Sequence, residues 1–355
     1  METKVLQKIT FYQEFDGTVH QVEVPISCKV DLQDVRKKLD LPEYIDLSYP
    51  AMERAVISIW AGLNAPTLFP DLAQKKRIDK PISALLIGGG AVKMLSPSAN
   101  ASSAPFLRDI HDLDFIVPKN QGSKFVLLLS HLAEVAGTKY HYFLTESDNM
   151  FNALRGRRRY RIRALDWVGN NEPKVTETDI FVEKLQMRHT IHVSQVFDSA
   201  HENLYTIGLE KLIISKAQLI TDLEKKDSHL LEQAGQTFRI LPYDYRKDRL
   251  IVGMEEKDIL DVCSLLLDHC ADPHGVSTDK MLDMTRKDEK LLLTIRLNLQ
   301  NILDRADWLR SKGLTERQIT EVHEGVTTIL HALPLVKKRW NKPWWNTEIV
   351  TPVVS

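Results

Sequence analysis

The stretch that most constrains this chain is Leu85 to Val117, LLIGGGAVKMLSPSANASSAPFLRDIHDLDFIV. It reads as a buried strand entering a glycine turn at Gly88, Gly89 and Gly90, then a short helix, a polar loop, and a second strand carrying Asp112 and Asp114. Side chains alternate along a strand, so aspartates at i and i+2 leave the same face at one strand end. That geometry suits a divalent metal. Backbone N–H groups at a glycine turn that opens a helix favour a phosphate. Together these features predict a metal-nucleotide site.

A later segment, TETDIFVEKL, supplies a third carboxylate. Asp179 and Glu183 share one strand face, and Asp179 stands at the start of the apolar run Ile180 to Val182. Close carboxylates repel unless a cation lies between them, so convergence of Asp112, Asp114 and Asp179 implies magnesium. An isolated D-x-D is equally compatible with solvated or turn-capping aspartates. Coupling to the upstream strand, turn and helix is what gives it weight.

Around this core the chain reads as four regions. Residues 1–80 form an accessory region whose KITFYQEF and HQVEVPISCKV alternate as a hairpin about the Asp16-Gly17 turn signal. Residues 81–203 alternate strand and helix, which predicts an α/β (α+β) domain with a mixed sheet and flanking helices. Residues 204–335 carry apolar stripes of helical period only, and Thr315 to Gln318 is a capping box. Residues 336–355 are a tail.

Composition limits the alternatives. A formal net charge of -1 over 355 residues gives no global pull toward nucleic acid or membrane, so any polyanion contact must be local. No leader-like segment and no bilayer-length apolar run appears, which predicts a cytoplasmic protein without membrane contact. Cys28, Cys263 and Cys270 lack C-x-x-C spacing and read as reduced thiols.

Lys216 falls within the apolar stripe Leu209, Leu212, Ile213, Ile220. It is either a snorkelling side chain or a cation aimed at phosphates. Asp258 and Asp261 flank a further apolar stripe, where acids near a helix start also favour the macrodipole. Arg155, Arg157, Arg158, Arg159, Arg161 and Arg163 crowd into RGRRRYRIR. As a strand this run is a basic stripe for RNA or a triphosphate, or else a charged edge strand that resists pairing. The tryptophans of KKRWNKPWWN suit stacking on bases, but anchoring of the tail by tryptophan packing is the simpler reading.

The GGGAV turn after a strand, the RDIHDLDF segment from Arg108 to Phe115, Asp179, the lysine helix LEKLIISKAQ and KDILD from Lys257 resemble a known family. It is the DNA polymerase β-like nucleotidyltransferase superfamily, in its AbiEii-type toxin and minimal nucleotidyltransferase branch. The resemblance covers roughly residues 85 to 270. It implies transfer of a nucleoside monophosphate from NTP to an acceptor hydroxyl with release of pyrophosphate, assisted by two Mg²⁺ ions. In that pattern Asp112 and Asp114 hold metal, and Asp179 is the third carboxylate and base. Gly88, Gly89 and Gly90 approach the phosphates, Lys216 binds nucleotide, and Asp258 completes the pocket. A toxin acting on tRNA or other RNA, with an antitoxin partner, follows from the branch. Modification of a small molecule or protein, or nucleotide binding without catalysis, are the alternatives. The insert SPSANASSAP departs from the family and is expected to be mobile and to border the cleft.

Overall fold

Leu85 to Ile87 and Leu113 to Val117 are apolar on both faces, apart from Asp114, and such runs need a sheet covered on both sides. The computed structural model provides one. It describes residues 7–15, 18–26, 28–75, 77–101, 105–107, 109–132, 135–136, 141–145, 158–167, 174–193, 197, 203–228, 238–243, 246–270 and 275–347. Contacts divide the chain into two compact units, one comprising residues 1–90, 110–184 and 193–206, the other 91–109, 185–192 and 207–355.

The first unit begins with the expected hairpin, β1 (Gln7–Phe15) and β2 (Thr18–Ile26), paired antiparallel from Gln7 opposite Ile26 to Phe15 opposite Thr18. Strand β3 (Cys28–Lys29) follows, then α1 (Leu32–Lys38), whose N-cap Asp31 accepts from the Gln33 N–H. Helix α2 (Pro50–Leu63) opens on a proline, as a first helical turn permits, and is buried from Ala51 to Gly62. Two short helices, α3 (Ala65–Leu68) and α4 (Pro70–Gln74), lead to β4 (Leu85–Ile87) and α5 (Gly88–Leu95). Then come β5 (Asp112–Val117), α6 (Gly122–Ser130), β6 (Val135–Ala136), β7 (His141–Thr145), β8 (Arg159–Trp167) and β9 (Lys174–Val182).

Five of these strands make a mixed sheet in the order β4-β5-β9-β8-β7. β5 and β9 run parallel, and the other neighbours are antiparallel. Phe115 of β5 meets Phe125 of α6 edge to face, 5.3 Å between ring centroids, so one face of the sheet is closed by that helix. Helix α2 packs on α6 and β5. The expected boundary at residue 80 therefore does not separate a compact unit, because α2 belongs to the same core as the sheet. Helix α6 also ends at Ser130 and not near Val135, which joins β3 as a short parallel strand instead.

The second unit departs from the all-helical expectation. After the hairpin β10 (Lys184–Gln186) and β11 (Thr190–His192) comes α7 (Leu209–Ala217), and then a three-stranded antiparallel sheet. Its strands are β12 (Thr221–Glu224), β13 (Phe238–Leu241) and β14 (Arg249–Glu255), in the order β12-β14-β13. Helices α8 (Glu256–His269), α9 (Thr278–Thr285), α10 (Glu289–Leu303), α11 (Ala306–Ser311) and α12 (Glu316–Ala332) complete the described elements. The capping box at Thr315 and Gln318 is formed. Asn298 of α10 ties helix to sheet, donating to Ala217 O and Leu219 O and accepting from Met254 N. Fully buried, it replaces three backbone contacts that water would otherwise make.

The tryptophans of the tail are core. Trp344 and Trp345 are buried in a cluster with Ile220, Leu241, Ile251 and Leu293, and Trp344 Nε1 donates to Thr294 Oγ1 at 2.9 Å. Packing, the simpler of the two sequence readings, accounts for both. Cys263 and Cys270 are free thiols, and burial pushes Cys263 up to about 12, which makes it unreactive. No helix among the described residues is long and apolar enough to cross a membrane.

Candidate active face of the mixed sheet

Strand β5 leaves the core at its N-terminal end. Asp112 is exposed, Leu113 buried, Asp114 half-buried, and every residue from Phe115 to Val117 buried. The two aspartates thus share a face at the point where the strand meets solvent, as their spacing predicts. Ile87, the last residue of β4, pairs with Asp114. The chain turns there at Gly88, whose φ of +67° lies in the left-handed region. A Cβ on Gly88 would sit 2.6 Å from Asp114 Oδ2, so only glycine lets the turn lie against that carboxylate. Gly90 has a packing role: a Cβ there would come 2.9 Å from Leu86 Cδ2. Gly88, Gly89 and Gly90 form the first turn of α5, where backbone N–H groups lack helical acceptors.

The parallel pairing of β5 with β9 sets Asp112 opposite Glu177 and Asp114 opposite Asp179. In-register neighbours point to the same face, so the sheet brings Asp114 and Asp179 side by side. Asp179 lies within β9, three residues before its end, because β9 starts earlier to pair with β8. It is also buried, with only 8% of its surface exposed.

Sequence reasoning missed what holds Asp179. Arg161, its partner on β8, donates from Nε to Oδ1 and from Nη2 to Oδ2, both at 3.1 Å. Arg159 Nη2 also donates to Oδ2. The reading of the arginine run as an edge strand is corrected by the strand order, in which β8 lies between β9 and β7. Period-two spacing put Arg159 and Arg161 on one face, but only the register reveals that this face carries Asp179. Arg158 is exposed. Arg155 and Arg157 lie outside the described residues, as does the side chain of Arg163.

This geometry bears on magnesium. Asp112 and Asp114 are oxygen donors at a solvent edge, which suits an ion that keeps most of its waters and takes substrate phosphate oxygens. Asp179 does not fit as a third ligand in this arrangement, since both of its oxygens face guanidinium donors. Among the described residues no group of three or more His, Cys, Asp or Glu side chains is placed to hold a metal ion.

The second unit contains a separate ion cluster. Lys216 Nζ of α7 lies 2.8 Å from Asp258 Oδ1 and 2.8 Å from Asp261 Oδ2, both on α8. All three side chains are nearly buried. Two carboxylates against one ammonium give the trio a net negative charge, which repels phosphate. The expectation that Lys216 binds nucleotide is thus not supported by its contacts, and Asp258 and Asp261 pair a lysine instead of merely facing a helix dipole. A cavity of about 300 Å³ beside them is lined by Phe106, Leu107, Lys257, Leu260 and Asp261, among others, but not by Asp258.

The insert SPSANASSAP is pinned in its first half, contrary to the expected mobility. Asp268 of α8 accepts from Ser96 Oγ, from Ser98 N at 2.9 Å and from Ser98 Oγ at 2.6 Å. Lys93 Nζ donates to Ala99 O at 3.0 Å. Asp272 and His274 of the HCADPH segment, and Arg108, lie outside the described residues. His269 contacts Leu95 O through Nε2 at 2.7 Å.

No family model matches the sequence, and no curated protein does. Two solved structures from Helicobacter pylori are similar over most of the chain. One is described as a candidate nucleotidyltransferase, with 14% identity over 82% of this chain and 97% of that one, at a TM-score of 0.36. The other, JHP933, has 13% identity over 82% of this chain and 94% of that one, at a TM-score of 0.34. Likeness at this level transfers neither fold nor activity.

Proposed function

We propose that the chain is a magnesium-dependent nucleotidyltransferase that moves a nucleoside monophosphate from NTP to an acceptor hydroxyl and releases pyrophosphate. The observation that carries this reading is the junction of β4, Gly88 and β5, where a glycine turn opening a helix lies against a carboxylate of a solvent-edge D-x-D. Asp112 and Asp114 would hold Mg²⁺. When bound, that ion supplies charge neutralisation for the phosphates and activation of the attacking hydroxyl. The amides of Gly88 to Gly90 face the phosphate side of the turn, where the helix N-terminus favours an anion. The rigid β5 backbone keeps both carboxylates at a fixed spacing, so positioning is built into the sheet.

The test uses full-length protein with Mg²⁺, each α-labelled NTP in turn, and three acceptor pools: total RNA, total protein and small metabolites. Label is expected in one pool, with tRNA or other RNA the acceptor that an AbiEii-like toxin would use. No transfer to any pool with any NTP would overturn the reading. A second reading, nucleotide binding without catalysis, is favoured by the engagement of Asp179 with two arginines. Under it, NTP binds but no pool acquires label, and a biological effect survives Asp112→Ala with Asp114→Ala.

A further inference from the structure

The charges on this face of the sheet are segregated. β5 contributes Asp112 and Asp114, and β8 contributes Arg159 and Arg161, with Asp179 of β9 between them. Asp179 accepts three hydrogen bonds from the two guanidiniums. Arg161 Nη1 also approaches Glu177 Oε2 at 3.4 Å, and the Arg159 guanidinium lies 4.7 Å over the Phe181 ring. The exposure gradient points outward. The Asp179 side chain keeps 11% of its surface, whereas Arg159 and Arg161 keep 28% and 27%.

A divalent cation brought to Asp179 would sit beside two guanidiniums, and the repulsion disfavours it there. An anion at the outer edge of the guanidiniums meets the opposite sign. Each arginine carries about five N–H donors in a planar fork, more between the two than one carboxylate accepts, and that fork matches phosphate oxygens.

We propose that Arg159 and Arg161 are the polyphosphate subsite of this face, and that Asp179 is a positioning residue that orients their guanidiniums rather than a third metal ligand. Neighbouring strands lie about 4.8 Å apart, so the carboxylates of β5 and the arginines of β8 are separated by roughly 10 Å across β9. A metal-bound triphosphate spans that distance, cation on β5 and outer phosphates on β8. The proposal rests on the nucleotidyl-transfer reading for the identity of the nucleotide. Its charge assignment stands on the ion pairs themselves.

Two binding measurements on the full-length chain test it without relying on turnover. In EDTA, titration calorimetry with inorganic tripolyphosphate is expected to show binding that weakens at least about tenfold in Arg159→Gln with Arg161→Gln. In Mn²⁺ titrations followed by electron paramagnetic resonance, Asp179→Asn is expected to bind as wild type does, while Asp112→Asn with Asp114→Asn loses the ion. Unchanged tripolyphosphate binding in the arginine variant overturns the subsite. Loss of Mn²⁺ in Asp179→Asn, as large as in the β5 variant, restores the third-ligand role and overturns the positioning one. Should the double glutamine variant unfold, Arg161→Lys keeps the charge without the fork. It is then expected to bind tripolyphosphate several-fold more weakly, and equal binding overturns the subsite. Failure of label transfer in wild type, with both binding results as expected, would fault the reaction and leave the charge assignment intact.

Discussion

Each unit holds an ion network, and the two networks are built to opposite ends. In the second, Lys216 is shared by Asp258 and Asp261, and all three side chains keep 12% of their surface or less. In the first, Asp179 is nearly as buried, but its arginine partners keep more than a quarter of theirs, and Asp112 is exposed. Buried charges whose partners are also buried have no way to exchange those partners for a ligand, because each unpaired group then bears its full desolvation cost. Half-exposed arginines keep solvent contact through which an anion can enter. The contrast is between an ion cluster that locks two helices together and one that presents charge at a sheet edge.

The largest expected effect breaks the locked cluster. Lys216→Ala leaves two carboxylates facing each other in a buried site and is expected to cost about 3–5 kcal/mol in urea unfolding. Substituting Asp258→Asn and Asp261→Asn in the same chain is expected to recover part of it. A loss below about 1 kcal/mol would place the trio with surface pairs and erase the contrast.

Protonation sharpens the same point. His189 is buried in the second unit, with Nε2 2.9 Å from Thr294 Oγ1, and burial pushes its pKa down to about 4. The unfolded histidine titrates near 6.5, so between pH 6.5 and about 4 the unfolded chain holds a proton that the folded one lacks. Stability from this group is complete above pH 6.5 and falls as the pH drops through that window, by up to about 1.4 kcal/mol per unit. Unfolding midpoints in His189→Gln are expected to flatten there, and an unchanged slope would contradict the neutral buried imidazole.

A smaller loss is expected from Asp179→Asn, about 1–2 kcal/mol, because the arginines it releases are partly solvated. Gly88→Ala is expected to cost about 1–2 kcal/mol for a left-handed backbone with a side chain. Its effect on label transfer is expected to be much greater, since the new Cβ must displace Asp114. A Gly88→Ala protein with wild-type transfer would separate the turn from the site.

These two networks were unequally legible in the sequence. The β4 to β5 geometry is local, fixed by strand alternation and a glycine turn, so the D-x-D face, the hairpin and the capping box at Thr315 could all be read directly. The parallel neighbour of β5 lies more than sixty residues downstream, and no periodicity encodes a register. For this reason Asp179 was visible as a candidate but its arginine partners were not, although both sets of residues had been singled out. Lys216 and its acids are similarly separated, so each had a plausible local explanation. The short strands of 221–255 were hidden because β12 and β13 have only four residues each and follow a helical stripe. Asp268 gave no signal at all of its hold on Ser96 and Ser98.

The central claim is that the β5 edge performs magnesium-dependent transfer, and pyrophosphate release tests it most directly. Wild-type protein with Mg²⁺, the accepted NTP and its acceptor is expected to release one pyrophosphate for each nucleotide incorporated, and Asp114→Asn, folded as judged by its melting curve, is expected to release none. Equal release by wild type and a folded Asp114→Asn would contradict the account.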